Sequence, residues 1–586
     1  VKRLLTLGLL GVWLLTGCSG EPPRATYAEH VAPILDRSCV PCHRSDSIAP
    51  FPLQTYDDAR RRASQIETVT QSGYMPPWLP AAGHGEFAHD RRLSEQDLQA
   101  IRHWVEDGAR EGDRALRPEP PQFSDGWQLG EPDLVLTMTE PFTLPSEGRD
   151  VFRNFVIPAT HDRSRHVRAF EFKPDNPRVV HHAVFQVDPG KGSRELDAQS
   201  AGPGFDGMDM GPSIMPDGQF LGWTPGHYVD PGTEDIGWKL DPGTDLVMQL
   251  HMPTTGKPET LQASIGLYFN ERPPTRHPFS LMLGSEELDI PAGDPAWEVE
   301  DRFVLPVAVE ALGVYPHAHY LGKEIEVTAS LPGGGEESLL KILDWDFNWQ
   351  DEYRYARPVP LPAGSEIKVR FRYDNSATNP RNPNHPPRRV TYGNQSSDEM
   401  AYLLLRLEAE DAAGRERLET AQLRHYLAKD DSKWRARRRL AVLLMRRGAF
   451  AEAAGEIQAA RAEAPDDPLT LTLAGQLAGR QGNLPEAVRL LGRAVELDPS
   501  LVPARTNLGV ALMAGRRPAE AEQQFRAALE LDAGALEPRI NLAMLLRARG
   551  SRDEARRILQ GVLQDLPATS PLRRGVTRQL EDLGGG

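Results

Sequence analysis

Cysteine is almost missing from this chain: its 586 residues contain three, at positions 18, 39 and 42. No thiol is therefore left in the last nine-tenths of the sequence for a disulfide, and the later domains must stand on packing and bound metal. Basic charge is also in deficit. Lys and Arg number 67 against 83 Asp and Glu, a formal net charge of -16, which argues against non-specific binding to polyanions, held as these are by clustered cations. Nucleic acid is not an expected partner. Compositional bias is lacking too: 39% hydrophobic and 26% charged residues, with 51 Gly and 51 Pro, describe ordinary globular domains rich in turns rather than disorder. At about 150 residues per domain the length suggests about four of them.

The first twenty residues combine a basic start (Lys2, Arg3) with an apolar run from Leu4 to Leu15, the pattern of an export signal. Leu15, Thr16, Gly17 and Cys18 match the bacterial lipobox, in which the cysteine becomes the lipid-bearing first residue of the mature protein. A transmembrane anchor is the competing reading, but a bilayer needs about 20 apolar residues and this run is too short. The expectation is a signal peptide over 1–18, lipidation at Cys18, and an exported protein anchored to a bacterial membrane on its periplasmic or cell-surface side. Ser19 is compatible with the outer membrane.

Cys39, Val40, Pro41, Cys42 and His43 form the Cys-x-x-Cys-His signature of covalent haem attachment. The spacing lets two thiols reach the two haem vinyl groups from one side while the adjacent imidazole turns inward to the iron. A zinc knuckle would need a second ligand pair nearby and a thioredoxin-like pair a βαβ context; neither is present. Met75, between prolines and aromatics in Tyr74-Met75-Pro76-Pro77-Trp78, is the expected sixth iron ligand, with His84 and His89 in reserve. Leu93 to Gly108 reads as an amphipathic helix with Ser94 as N-cap. Residues 24–114 resemble the small all-α cytochrome c domain found fused to other redox modules, from the attachment motif through the Met-Pro-Pro-Trp loop to Trp104.

From about residue 125 to 408 short alternating strands are punctuated by Gly, Pro, Asn and Asp, which predicts antiparallel β-sandwich domains. Histidines cluster there. His317 and His319 stand at i and i+2, so on one strand they share a face and can share a metal. His181 and His182 are adjacent and can do so only where a strand ends or bulges. A single strand histidine is usually structural, but this grouping with His251 is not readily a coincidence. Val179 to Val184, Met248 to His251, Pro316 to Lys323 (His-x-His-x-x-Gly-Lys) and Ser397 to Met400 follow one another as an ordered set. By these motifs residues 150–408 resemble the type II copper, ascorbate-dependent monooxygenases, the family of peptidylglycine hydroxylase and dopamine β-hydroxylase. The resemblance divides the β region into jelly-roll-like sandwiches over 125–275 and 276–408, facing each other across a solvent-filled cleft. It places an electron-transfer copper on His181, His182 and His251, and an oxygen-activating copper on His317, His319 and Met400. Imidazoles suit both copper oxidation states and a thioether favours Cu(I). Two departures stand out: the family's disulfides are absent, and Tyr315 stands where the peptidylglycine enzyme has an arginine for a substrate carboxylate, so a peptide C-terminus is not the expected substrate.

Beyond residue 430 the chain is rich in Ala, Leu, Arg and Glu, and Glu-Ala recurs at 452, 486, 520 and 554, an interval of 34 residues. Pro465, Pro499 and Pro567 keep the same interval with Ala533 in the gap, as do Gly448, Gly482 and Gly550 with Arg516 in the gap. This resembles tetratricopeptide repeats over 430–570, an all-α solenoid whose groove holds a protein partner or serves as a spacer. The whole predicts a multidomain, haem-coupled dicopper monooxygenase. It would use O2 and an external electron donor on a small-molecule or peptide substrate, with haem c relaying electrons. A non-catalytic copper-binding or electron-transfer lipoprotein whose repeats recruit an enzyme is the alternative.

Overall fold

The computed structural model describes residues 25–45, 49–123, 126–566 and 570–584. Cys18, the lipobox and Pro567 lie outside them.

The N-terminal unit is helical. Tyr27–Val31 runs into Ala32–Ser38, and Ala63–Gln71 and Glu95–Glu106 follow. The last begins at Ser94, whose side chain accepts the Asp97 N–H while Asp97 returns the bond, a capping box that fixes the helix start. Tyr27, Val31, Leu35, Ile66, Ile101 and Trp104 form its core, and each such side chain contributes about 1.5–3 kcal/mol by leaving water. Residues 78–92 depart from this helical unit. Pro80 pairs with Ile342 and Phe87 with Tyr355 as β-bridges, Trp78 sits edge-on to Tyr353, and Trp78, Leu79 and Phe87 pack on the core of the second β unit. The segment thus belongs to two bodies at once.

The central region is β-rich, in several sheets. Between Leu134 and Phe269 a four-stranded and a five-stranded sheet enclose one core that includes Phe155, Phe172, Phe185, Met248 and Leu267. Between Phe279 and Ala409 two four-stranded sheets enclose another, around Leu281, Ile325, Val369, Phe371 and Leu405. In Glu366–Tyr373 burial alternates strictly, placing Ile367, Val369, Phe371 and Tyr373 inward. Asp245–Met252 is buried throughout, as befits the middle strand of the five, paired with Val151–Pro158 on one side and His182–Asp188 on the other.

Ala412–Lys429 begins the helical C-terminal region and rests on the second β unit, where His425 Nε2 lies 3.0 Å from Asp301, Lys429 also binds Asp301, and Leu418 enters the core. Helix pairs from Trp434–Arg446 to Leu572–Gly584 then stack, each against its chain neighbour. Ala453, Ala487, Ala521 and Ala555 are wholly buried at the helix contacts. Gly448, Gly482 and Gly550 end helices with φ of 76°, 78° and 88°, a left-handed conformation open to glycine. Arg516 takes the same conformation at φ 59° without that freedom. Among the described residues no helix is long and apolar enough to cross a membrane.

Candidate metal centre

His181 and His182 reach one point because the chain changes state between them. A 3-10 turn, Pro177–Val179, precedes the strand His182–Asp188, so His181 stands just before the pleat begins and escapes the alternation that would send it to the opposite face. Its N–H donates to the His251 carbonyl at 2.8 Å, and His182 is the register partner of His251. The Nδ1 atoms of His181 and His182 are 3.2 Å apart, those of His182 and His251 3.4 Å, and one ligand atom from each ring lies within 4.8 Å of the others. Two nitrogens bound to one metal at about 2.0–2.1 Å in tetrahedral geometry are about 3.3 Å apart. The spacing fits a shared ion.

The protonation pattern fits as well. Asp150 lies 3.1 Å from His251 Nε2 and accepts its hydrogen bond, which leaves the Nδ1 lone pair free for a metal. Burial is the main reason the His181 pKa falls to about 3 and that of His182 well below its ordinary value. Both rings are neutral, as metal ligands must be. Phe152 stacks on His251 at 4.1 Å and Phe347 on His181 at 4.3 Å.

His317 ends the strand Val309–His317 and His319 follows it, their rings 5.2 Å apart. His317 Nδ1 donates to the Gln350 side-chain carbonyl at 2.7 Å and His319 Nδ1 to the Asp398 carbonyl at 3.2 Å. Each ring therefore keeps a free Nε2 lone pair. Burial lowers the His317 pKa to about 4 and that of His319 well below normal. Met400 is buried immediately before the strand Ala401–Ala409, and its carbonyl accepts the Tyr373 hydroxyl at 2.7 Å. Glu399 ties this corner together. Its carboxyl accepts the N–H groups of His319 (2.8 Å), Leu321 (2.6 Å) and Met400 (3.1 Å). Burial pushes the Glu399 pKa up to about 8, against the downward pull of these bonds.

The two histidine sets are close neighbours. The rings of His182 and His317 are 6.2 Å apart, and Phe347 touches both sets, at 4.3 Å from His181 and 5.3 Å from His319. The family resemblance implies a solvent-filled cleft between the two sets; here Phe347 stands between His181 and His319. Asp150 also crosses that junction: it takes the Ser396 hydroxyl as well as His251, linking one histidine set to the loop that bears Met400.

Cys39, Cys42 and His43 lie on one turn, with the Cys42 and His43 N–H groups both donating to the Cys39 carbonyl. His43 Nδ1 donates to the Phe51 carbonyl at 3.1 Å, leaving Nε2 free for iron. Burial raises the Cys39 thiol pKa to about 12. Met75 is half-buried, its N–H held by the Val69 carbonyl at 3.0 Å. The reserve ligands are engaged elsewhere, His84 with Ser338 and His89 stacked on Tyr228. A short route leads from this turn to the histidines. A Cβ placed at Gly226 would lie 3.9 Å from Cys42 Sγ. Arg91 binds the Gly226 carbonyl at 2.8 Å and Asp351 at 3.0 Å, and the preceding Gln350 holds His317.

Sequence patterns pick out the imidazoles but not Asp150, Gln350 or Glu399, whose roles rest on contacts up to 246 positions away. The Glu399 carboxyl beside Met400 is the one local hint.

Tetratricopeptide repeat family models match residues 406–468 and 472–535, and a second such model matches 516–579. The C-terminal region is a tetratricopeptide repeat array. A TPR repeat-containing protein of Pseudomonas aeruginosa is 37% identical over 91 residues, 16% of this chain; the chain spans 37% of that relative's length. Among solved structures, YrrB, a TPR protein with an unusual peptide-binding site, is 19% identical, matching 29% of this chain and 86% of its own with a TM-score of 0.24. A thermophilic TPR protein of Thermus thermophilus is 21% identical, matching 29% and 92% with a TM-score of 0.26. These likenesses concern the repeats alone.

Proposed function

We propose that this protein is an exported, lipid-anchored, haem-coupled dicopper monooxygenase of β-sandwich architecture. The observation that carries the reading is the convergence of five imidazoles in two adjoining sets: His181, His182 and His251 bring ligand atoms within 4.8 Å of one another, and His251, His317 and His319 each tie one ring nitrogen to an acceptor, so that the other is free for a metal. Bound copper and covalent haem c would supply one-electron transfer and dioxygen chemistry, converting R–H, O2, two electrons and two protons into R–OH and water.

The chain's own contribution is placement. His181, His182 and His251 offer Nδ1 to one ion and Asp150 fixes the last of these rings. His317 and His319 offer Nε2 to the other, with Met400 as their soft companion and Glu399 holding the corner rigid. Cys39 and Cys42 take the haem vinyl groups, His43 and Met75 the iron. Cys18 carries the lipid. The repeats hold a protein partner.

One observation favours a non-catalytic electron carrier instead: Phe347 occupies the space between the histidine sets where a substrate would pass. Two measurements separate the readings. Anaerobic reduced haem in Cu(II)-loaded protein is expected to reoxidise within seconds; haem that stays reduced for minutes sinks the relay. Copper-loaded, reduced protein supplied with cell extract is expected to consume O2 several-fold faster than Met400→Ile. Equal uptake leaves only the carrier.

A further inference from the structure

A cavity of 260 Å³ opens where the segment bearing Arg91 meets both β units. None of the five histidines lines it. Its walls include Phe220, Tyr228 and Trp238, and Phe220 touches Tyr315 at 5.1 Å between ring centres, so one side-chain layer separates it from the corner holding His317.

The charges around it are mostly paired. Arg91 binds Asp351, Arg354 binds Asp230, Arg168 lies against Glu234, and Arg276 binds Glu408 and Asp235. His227 is bonded to Asp351 at 3.1 Å. Two wall residues differ. The Arg406 side chain makes no hydrogen bond or ion pair among the described residues, and its Nε is buried without an acceptor. The Glu352 carboxylate likewise has no hydrogen bond or ion pair among them. Both flank Gly313, which is the strand partner of Arg406; a Cβ there would lie 3.5 Å from the Glu352 Oε1. The missing side chain leaves room beside both charges. A part-buried guanidinium and a carboxylate that do not satisfy each other are costly unless something bridges them.

We propose that this cavity binds a small zwitterion of amino-acid size, its carboxylate on Arg406, its ammonium on Glu352 and its apolar body against Phe220, Tyr228 and Trp238. The inference rests on no metal and stands apart from the oxygenase reading. Tyr315 does not line the cavity; it lies behind Phe220, and the charges that meet the ligand come from Arg406 and Glu352.

The test is calorimetric titration of the full-length, haem-loaded, copper-free protein with L-phenylalanine, 3-phenylpropionate and phenethylamine. A hydrogen-bonded charge is worth about 1.5–3 kcal/mol, so each one-charge analogue is expected to bind about ten- to a hundredfold more weakly than phenylalanine. Arg406→Gln should reduce phenylalanine to the affinity of phenethylamine, and Glu352→Gln to that of phenylpropionate. Phe220→Ala, which leaves both charges in place, should weaken all three probes together and covers the case in which a charge variant fails to fold. Phenylalanine that gives no heat at millimolar concentration, or binds no tighter than the analogues, overturns the proposal. So do charge variants that melt and bind like the parent.

Discussion

The repeat array and the histidine centre are built on opposite plans. In the array each helix pair meets its chain neighbours, and the same Ala and Gly positions return every 34 residues. In the centre, the carboxylate that orients His251 is 101 positions away and also binds Ser396. The difference teaches where each is vulnerable: the array loses stability in small, separable increments, whereas the centre concentrates several obligations on single buried groups.

Four changes sharpen or break that contrast. Glu399→Ala strips the acceptor from the N–H groups of His319, Leu321 and Met400. Leaving buried donors unpaired at about 1–3 kcal/mol each should cost about 3 kcal/mol or more, read from the denaturant midpoint; a loss comparable to a surface mutation would show the corner to be held otherwise. Asp150→Asn keeps the shape but replaces the charged acceptor of the His251 N–H with a weaker neutral one, and copper affinity measured by chelator competition should fall about ten- to a hundredfold. An unchanged affinity would mean that the ring needs no partner.

The third change is in pH. His425 and Lys429 outweigh burial and hold the Asp301 pKa down to about 2. A carboxylate depressed on folding contributes stability that is fully present above its unfolded pKa of about 3.9 and is lost as pH falls from there towards 2, in all about 2 kcal/mol. The docking of Ala412–Lys429 should weaken over that window, and Asp301→Asn should abolish this part of the acid dependence of the unfolding midpoint. Smallest is Arg516→Gly. A non-glycine residue in the left-handed region costs about 1–2 kcal/mol, so this variant should melt a few degrees higher in its repeat, while glycine's extra freedom when unfolded trims the gain. A lower melting temperature would show that Arg516 makes contacts worth more than the strain.

The same contrast explains what could be read from sequence. The 34-residue interval marks the array because a repeated helix pair repeats its packing residues, and even the gap at Arg516 is visible before its φ is known. The Cys39-to-His43 spacing and the histidine clusters stand out because their chemistry demands residue types at short range. That His181 and His182 converge depends on a turn ending between them, which the pair alone leaves open. Asp150, Gln350 and Arg406 carry no local mark, since an acid, an amide or an arginine in a strand-rich segment is ordinarily a solvated surface residue. The docking of residues 78–92 is equally invisible: the segment looks like the tail of a loop, and the backbone it pairs with lies beyond residue 335.

That docking sets a schedule for the nascent chain. The N-terminal helices own a complete core and can close as soon as Trp104 is available. Pro80 and Phe87, by contrast, wait for Ile342 and Tyr355 to be synthesised, an interval of many seconds at about 5–20 residues per second. Until then residues 78–92 lack the surface they lie on, and the N-terminal helices must keep their shape on their own core alone.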